Sequence, residues 1–260
     1  MKIGYLRVGF TPEALRDEYG EYLEMYTEMF RLFLPAVELH CYEVRDGEMP
    51  TDPAECDAWI CCGSADSVYD DLPWIAPLKQ FVRDLYEAGG RMVGICFGHQ
   101  LIAEALGGKV DRAKSGWGIG IHEVRLSGAR KWMTPFRSKY NLLYSHQDQV
   151  VQLPKGANLL GSSDHCPNAI YTVDGRFLGI QGHPEFDRPY TKALILSRAD
   201  RIDAGTIEAA LKSLYMDLHR EDLFLWLGRF LVATQAVPVA VVEPEESCGS
   251  EVFRALAGVV

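Results

Sequence analysis

Between Arg91 and Gly108 an apolar run turns within a single residue into a helix, and a cysteine sits at the turn. Arg91-Met92-Val93-Gly94-Ile95 reads as a short buried strand, and Gln100 to Leu106 has helical spacing that ends at Gly107-Gly108. So abrupt a junction forces its central residue into strained backbone, and the residues two before and two after it must be small. Gly94 and Gly98 meet that demand around Cys96. The helix start beyond Cys96 favours a thiolate over a thiol and offers backbone N–H groups to a developing oxyanion. Without the flanking glycines a cysteine after a strand reads as core packing; with them it reads as a nucleophile.

The segments around this elbow alternate strand and helix. Met1–Gly9 reads as a first strand, Glu13–Leu34 as one long amphipathic helix, Val37–Val44 as a second strand and Asp57–Cys62 as a third. Trp74–Ala88 then reads as a helix stopped by Gly89-Gly90. Short, glycine-bearing β-α connections of this kind imply a mostly parallel sheet covered on both faces. The middle of the chain differs. Ile119–Leu126, Leu142–Ser145, Asn158–Ser162, Ala169–Val173 and Arg176–Gln181 are short strand-like runs between Gly, Asn and Asp. They predict an antiparallel extension of the sheet or a second small sheet. Pro189–Ala204 and Thr206–Leu231 read as helical, and Val237–Val260, with two prolines and an acidic cluster at 243–246, reads as a tail. The expected organisation is a catalytic domain over 1–235 and a tail over 236–260.

Composition narrows the partners. A formal net charge of −10 argues against nucleic acid or an anionic membrane, both of which reward clustered Lys and Arg. No 18-residue apolar run and no basic-then-apolar leader is present, so neither a membrane span nor a secretory signal is expected. Seven cysteines, an odd number without framework spacing, suit reduced thiols in the cytoplasm.

A nucleophilic cysteine needs a base, and Gly182-His183-Pro184-Glu185-Phe186 follows directly on the strand Phe177–Gln181. In extended chain, residues two apart point the same way, so His183 and Glu185 fall on one side and Pro184 stiffens the link. Glu185 would orient the imidazole and stabilise its charged form. His183 would take the Cys96 proton and return it to a leaving amine. The chain order Cys, His, Glu differs from the Ser, Asp, His order of α/β hydrolases.

These residues resemble the class I glutamine amidotransferases, whose domain joins a Gly-x-Cys-x-Gly-x-Gln elbow to a later Gly-His-Pro-Glu. The likeness is to stand-alone members similar to the amidotransferase half of GMP synthase, and to γ-glutamyl peptidases. It runs from about Cys61 to Phe186, through Gly63–Trp74, the elbow, Leu106-Gly107-Gly108 and Ser145-His146-Gln147-Asp148. It implies a three-layer, flavodoxin-like α/β fold and catalysis by Cys96, His183 and Glu185 through a γ-glutamyl thioester. By the same resemblance the backbone N–H groups of Gly63 and Phe97 hold the oxyanion. Gln100 helps bind the amino-acid end of the substrate, and backbone near Gln147 and Asp148 grips its α-carboxylate and α-amino groups.

Two positions depart from the family. Many relatives have Gly-Gly-Pro where this chain has Cys62-Gly63-Ser64, and several have glycine at Gln147, whose side chain here would reshape the pocket. No metal or organic cofactor is implied. Gly116-Trp117-Gly118-Ile119-Gly120 is not a dinucleotide loop, Cys61-Cys62 lacks metal-ligand spacing, and His122-Glu123 lacks the second histidine of a zinc site. His99 and His146 read as structural, and Tyr69 and Trp74 as pocket lining or core. No Ser-Gly-Gly-x-Asp-Ser pyrophosphatase loop is present. The substrate is therefore glutamine, cleaved for a separate synthase subunit, or another γ-glutamyl compound hydrolysed without one. A non-catalytic binding protein on the same fold is the third reading.

Overall fold

The structure, a computed structural model, describes residues 1–232. The tail from Val237 and the domain edge at 235 lie outside the described residues.

Four N-terminal strands follow the apolar runs: β1 (Lys2–Arg7), β2 (Glu38–Glu43), β3 (Ala58–Cys61) and β4 (Met92–Ile95). Later come β5 (Lys109–Arg112), β6 (Gly118–Leu126), β7 (Lys139–His146), β8 (Asp148–Gln152), β9 (Ala157–Ser162), β10 (Ile170–Val173) and β11 (Phe177–Ile180). Nine of them form one sheet in the order β2-β1-β3-β4-β11-β10-β9-β6-β7. From β2 to β11 the pairs are parallel; from β11 to β7 they are antiparallel. Strands β5 and β8 pair separately. Of the two alternatives for the middle of the chain, its five strand-like runs take the first and extend the main sheet, while the second small sheet is made of β5 and β8, which the sequence did not mark as strands. β3, β4 and β11 are buried along their whole length, as strands covered on both faces must be.

Helices α1 (Glu13–Tyr19), α2 (Tyr22–Phe33), α3 (Ile75–Glu87) and α4 (Phe97–Ala105) belong to the parallel half. Side-chain parity separates the layers. Trp59 of β3 meets Phe81 of α3, with ring centroids 4.7 Å apart, while Tyr5 of β1 meets Tyr26 of α2 at 5.2 Å. Trp59 lies across Gly4, the neighbour of Tyr5, so the two aromatic contacts are on opposite faces of the sheet.

Three helical expectations need correction. The run Glu13–Leu34 is two helices, because Gly20 takes φ 71° and breaks the hydrogen-bond ladder. The run Thr206–Leu231 is also two, α6 (Ala204–Ser213) and α7 (Arg220–Val232). Between them the Arg188 guanidinium donates to the carbonyls of Leu214 and Met216, which takes the chain end of α6 out of helical pairing. The helix expected to Ala204, α5 (Arg188–Leu196), stops at Ser197, whose hydroxyl turns back onto the Leu194 carbonyl. Among the described residues no helix is long and apolar enough to cross a membrane.

Candidate active site

Cys96 occupies the turn between β4 and α4 with φ 51° and ψ −99°, a strained conformation for a residue with a side chain. The reason for its small neighbours is direct. A Cβ on Gly94 would lie 2.2 Å from the Gly98 carbonyl oxygen, and one on Gly98 would lie 2.4 Å from that of Cys61. Phe97 opens α4, so its N–H is one of those the helix leaves without an intrahelical acceptor. The Cys96 N–H donates to the Ile180 carbonyl at 2.9 Å and ties the elbow to the end of β11.

That tie sets the position of His183. β11 lies beside β4 in parallel register, Ile180 opposite Ile95, and the chain leaves it through Gln181-Gly182 into His183. The His183 N–H donates to the Leu143 carbonyl of β7 at 2.8 Å. Its ring stacks on Phe186, with centroids 4.0 Å apart and planes 3° from parallel. Nδ1 donates to Glu185 Oε1 at 2.8 Å, so Nε2 is the nitrogen left for chemistry. Both side chains are buried. Burial opposes a charged imidazole, but the Glu185 carboxylate and the Cys96 sulfur outweigh it and raise the His183 pKa to about 10.

Gly63 touches both partners: a Cβ there would stand 2.9 Å from His183 Cε1 and 3.5 Å from Cys96 Cβ. Its backbone therefore lies over the elbow beside the Phe97 end of α4. The loop that follows is latched to β8, since the Ser67 and Tyr69 hydroxyls both donate to the Asp148 carboxylate. Trp74 packs on Phe97 at the far end of this loop, and Tyr69 remains half exposed.

Gln100 is buried, and its side-chain nitrogen donates to the Asp148 carbonyl at 2.7 Å and to Gln181 Oε1 at 3.2 Å. The Gln147 carbonyl accepts from the Ala113 N–H, and the Asp148 carbonyl also pairs with His146 Nδ1. Gln100, Gln147 and Asp148 all line a cleft of about 130 Å³ that reaches Cys96. A narrower recess of about 40 Å³ adjoins it, sharing Cys96 and Arg198 and adding Gly63 and His183 to the wall. A larger groove, about 950 Å³ between α5 and α6, shares no lining residue with either. His99 is fully buried on the Asn168 carbonyl, with its pKa lowered by burial to about 4, as befits a structural imidazole.

Two arginines escaped the sequence reading. Arg220, at the start of α7, donates Nε to the Pro184 carbonyl and Nη2 to the Glu185 carbonyl, each at 3.1 Å, and so fixes the backbone of the His-Pro-Glu turn. Arg198, one residue past the end cap of α5, lines both the cleft and the recess at Cys96. Neither carries a local signal, because each meets the site only through tertiary packing.

Residues 15–199 match the family described as glutamine amidotransferase class-I. Among curated proteins, γ-glutamyl peptidase 4 of Arabidopsis thaliana is 31% identical over 210 residues, covering 77% of this chain and 81% of the peptidase. A GMP synthase [glutamine-hydrolyzing] of an Azoarcus species is 34% identical over 157 residues, which is 57% of this chain but 29% of that longer enzyme. Among solved structures, a glutamine amidotransferase of Thermotoga maritima superposes with a TM-score of 0.68 at 23% identity, covering 88% of this chain and 97% of that one. The strained cysteine elbow, the mixed sheet that carries it and these similarities together identify the chain as a member of the class I glutamine amidotransferase family.

Proposed function

We propose that the protein hydrolyses γ-glutamyl amide bonds through a thioester on Cys96. The observation that carries this reading is the buried His183–Glu185 pair set against a cysteine on a strained elbow. Cys96 Sγ attacks the γ-carbonyl carbon, and the oxygen takes the charge between the N–H groups of Gly63 and Phe97. The imidazolium of His183 gives its Nε2 proton to the leaving nitrogen as the C–N bond breaks, leaving a γ-glutamyl thioester. Water then attacks, His183 takes its proton, and the C–S bond breaks to release glutamate. Glu185 holds the ring and balances its charge throughout.

Glutamine, with ammonia passed to a separate synthase subunit, and γ-glutamyl peptides, cleaved without a partner, both fit this chemistry. Similarity over most of the length of a γ-glutamyl peptidase, against less than a third of a GMP synthase, favours the second. A cytoplasmic setting suits the reduced thiols, and the six described cysteines are all free. The test is release of glutamate from L-glutamine and from γ-glutamyl dipeptides by the purified protein, with Cys96→Ala as control. Cys96-dependent cleavage of the dipeptides alone identifies a self-sufficient hydrolase. Slow cleavage of glutamine alone points to a missing synthase, and turnover retained by Cys96→Ala overturns the mechanism.

A further inference from the structure

The groups around Cys96 carry a surplus of positive charge in a chain whose formal net charge is −10. Arg112, Arg198 and Arg201 line the cleft, and its two carboxylates are already engaged. Asp66 pairs with Arg45 at 2.7 Å, and Asp148 accepts from Ser67 and Tyr69. Of the three arginines only Arg198 also lines the recess beside His183. The other walls of that recess are largely apolar, with Phe10, Pro12, Tyr22, Phe186 and Leu194 among them.

Arg198 is held but not neutralised. Nη1 donates to Ser145 Oγ at 2.5 Å, and the guanidinium lies over the Trp117 ring at 5.4 Å from its centroid. Among the described residues no carboxylate forms an ion pair with it. A guanidinium braced by a hydroxyl and an indole keeps donors directed elsewhere, in the planar fork that matches a carboxylate. The position of those donors is chemically specific. The proton that His183 delivers goes to the leaving nitrogen, so whatever that nitrogen carries must lie in the recess that His183 and Arg198 share. A γ-glutamyl amino acid places a carboxylate one carbon away from that nitrogen; glutamine places nothing there.

We propose that Arg198 binds the carboxylate of the leaving amino acid and so selects γ-glutamyl amino acids over neutral amides. The assignment rests on the hydrolytic reading above and deepens it. The γ-glutamyl half carries its own carboxylate and ammonium and is neutral overall, so it gives no account of a further unpaired cation on the leaving-group side.

The experiment compares γ-glutamyl-alanine with γ-glutamyl-alaninamide, which differ only in that carboxylate. The wild type should favour the acid in kcat/KM by about tenfold or more, the scale of one charge-assisted pair. Arg198→Met should collapse the ratio to about one, and Arg198→Lys should keep part of it. A wild-type ratio near one overturns the assignment without any variant. So does a ratio retained by Arg198→Met, or an equal loss on both substrates, which would put Arg198 on the γ-glutamyl carboxylate instead. Calorimetry on Cys96→Ala separates the two proposals. Tighter binding of the acid that Arg198→Met removes, with no turnover by the parent enzyme, would sink hydrolysis and leave the Arg198 assignment standing.

Discussion

Adding one methyl group at Gly63 should disable the site while sparing the fold. The Cβ of Gly63→Ala would meet His183 Cε1 at 2.9 Å and Cys96 Cβ at 3.5 Å. Comfortable carbon contacts lie at about 3.5–4 Å, so the loop and the imidazole must part by roughly half an ångström or more. The imidazole cannot swing away, because Glu185 holds Nδ1 and Phe186 covers one face. The loop must move instead, and it carries the proposed oxyanion donor. Removing one such donor costs about 10²–10³ in kcat, and a misplacement of about 1 Å costs about 10². We therefore expect a loss of about 10²-fold, equivalent to about 2.7 kcal/mol of transition-state stabilisation. Gly63 is not among the positive-φ glycines, so alanine brings no backbone strain and Tm should hold within a few degrees. Gly94→Ala is the counterpart. Its methyl would lie 2.2 Å from a backbone oxygen, and the variant should lose fold and activity together. The assay is hydrolysis of a γ-glutamyl dipeptide beside thermal denaturation of each variant. A Gly63→Ala protein with more than about a third of wild-type kcat would refute both the contact and the placement of the oxyanion.

Cys96→Ser and His183→Ala should each reduce kcat by about 10³-fold or more, and Glu185→Ala by less, since orientation is lost while the base remains; the reverse order of His183 and Glu185 would contradict their roles. Arg220→Met should lower kcat about tenfold with KM little changed, because it frees the carbonyls of Pro184 and Glu185 and loosens the pair from behind; a change confined to KM would place Arg220 elsewhere in the scheme. The raised pKa of His183 gives a signed pH dependence. Stability gained from its charged form is complete below pH ~6.5 and is lost as pH climbs through about 10. The difference in unfolding free energy between wild type and His183→Gln, followed by urea denaturation, should shrink over that window. A difference that widens with pH would mean the imidazole is buried neutral.

The parallel half of the sheet was readable because its strands are short apolar runs punctuated by glycine, and β3, β4 and β11 are buried end to end. The elbow was readable for a stronger reason. Gly94, Cys96 and Gly98 are a backbone requirement written into side-chain size. What stayed hidden depends on distant partners. Lys109–Arg112 and Asp148–Gln152 are too polar to read as strands, and exist because they pair with one another across the chain. The division of α6 from α7 depends on Arg188 reaching two carbonyls about 26 and 28 residues downstream. Arg198, just past the end of α5, and Arg220, at the start of α7, reach the site through side chains from segments that look ordinary in sequence. Local patterns thus gave the proposed nucleophile and its proposed base, while the groups that brace them belong to tertiary structure.

The parallel pairing of β4 with β11 also bears on when the site comes into being. A parallel neighbour cannot be reached by a tight turn, and here His183 follows Cys96 by 87 residues of chain. At synthesis rates of about 5–20 residues per second, the ribosome has made the cysteine for roughly 4–17 s before the histidine exists. Until β11 docks, the sulfur has neither the imidazole nor the Ile180 carbonyl that anchors its own N–H. Cys96 and His183, the proposed nucleophile and base, are thus brought together only when β11, the last of the central strands in the chain, docks beside β4.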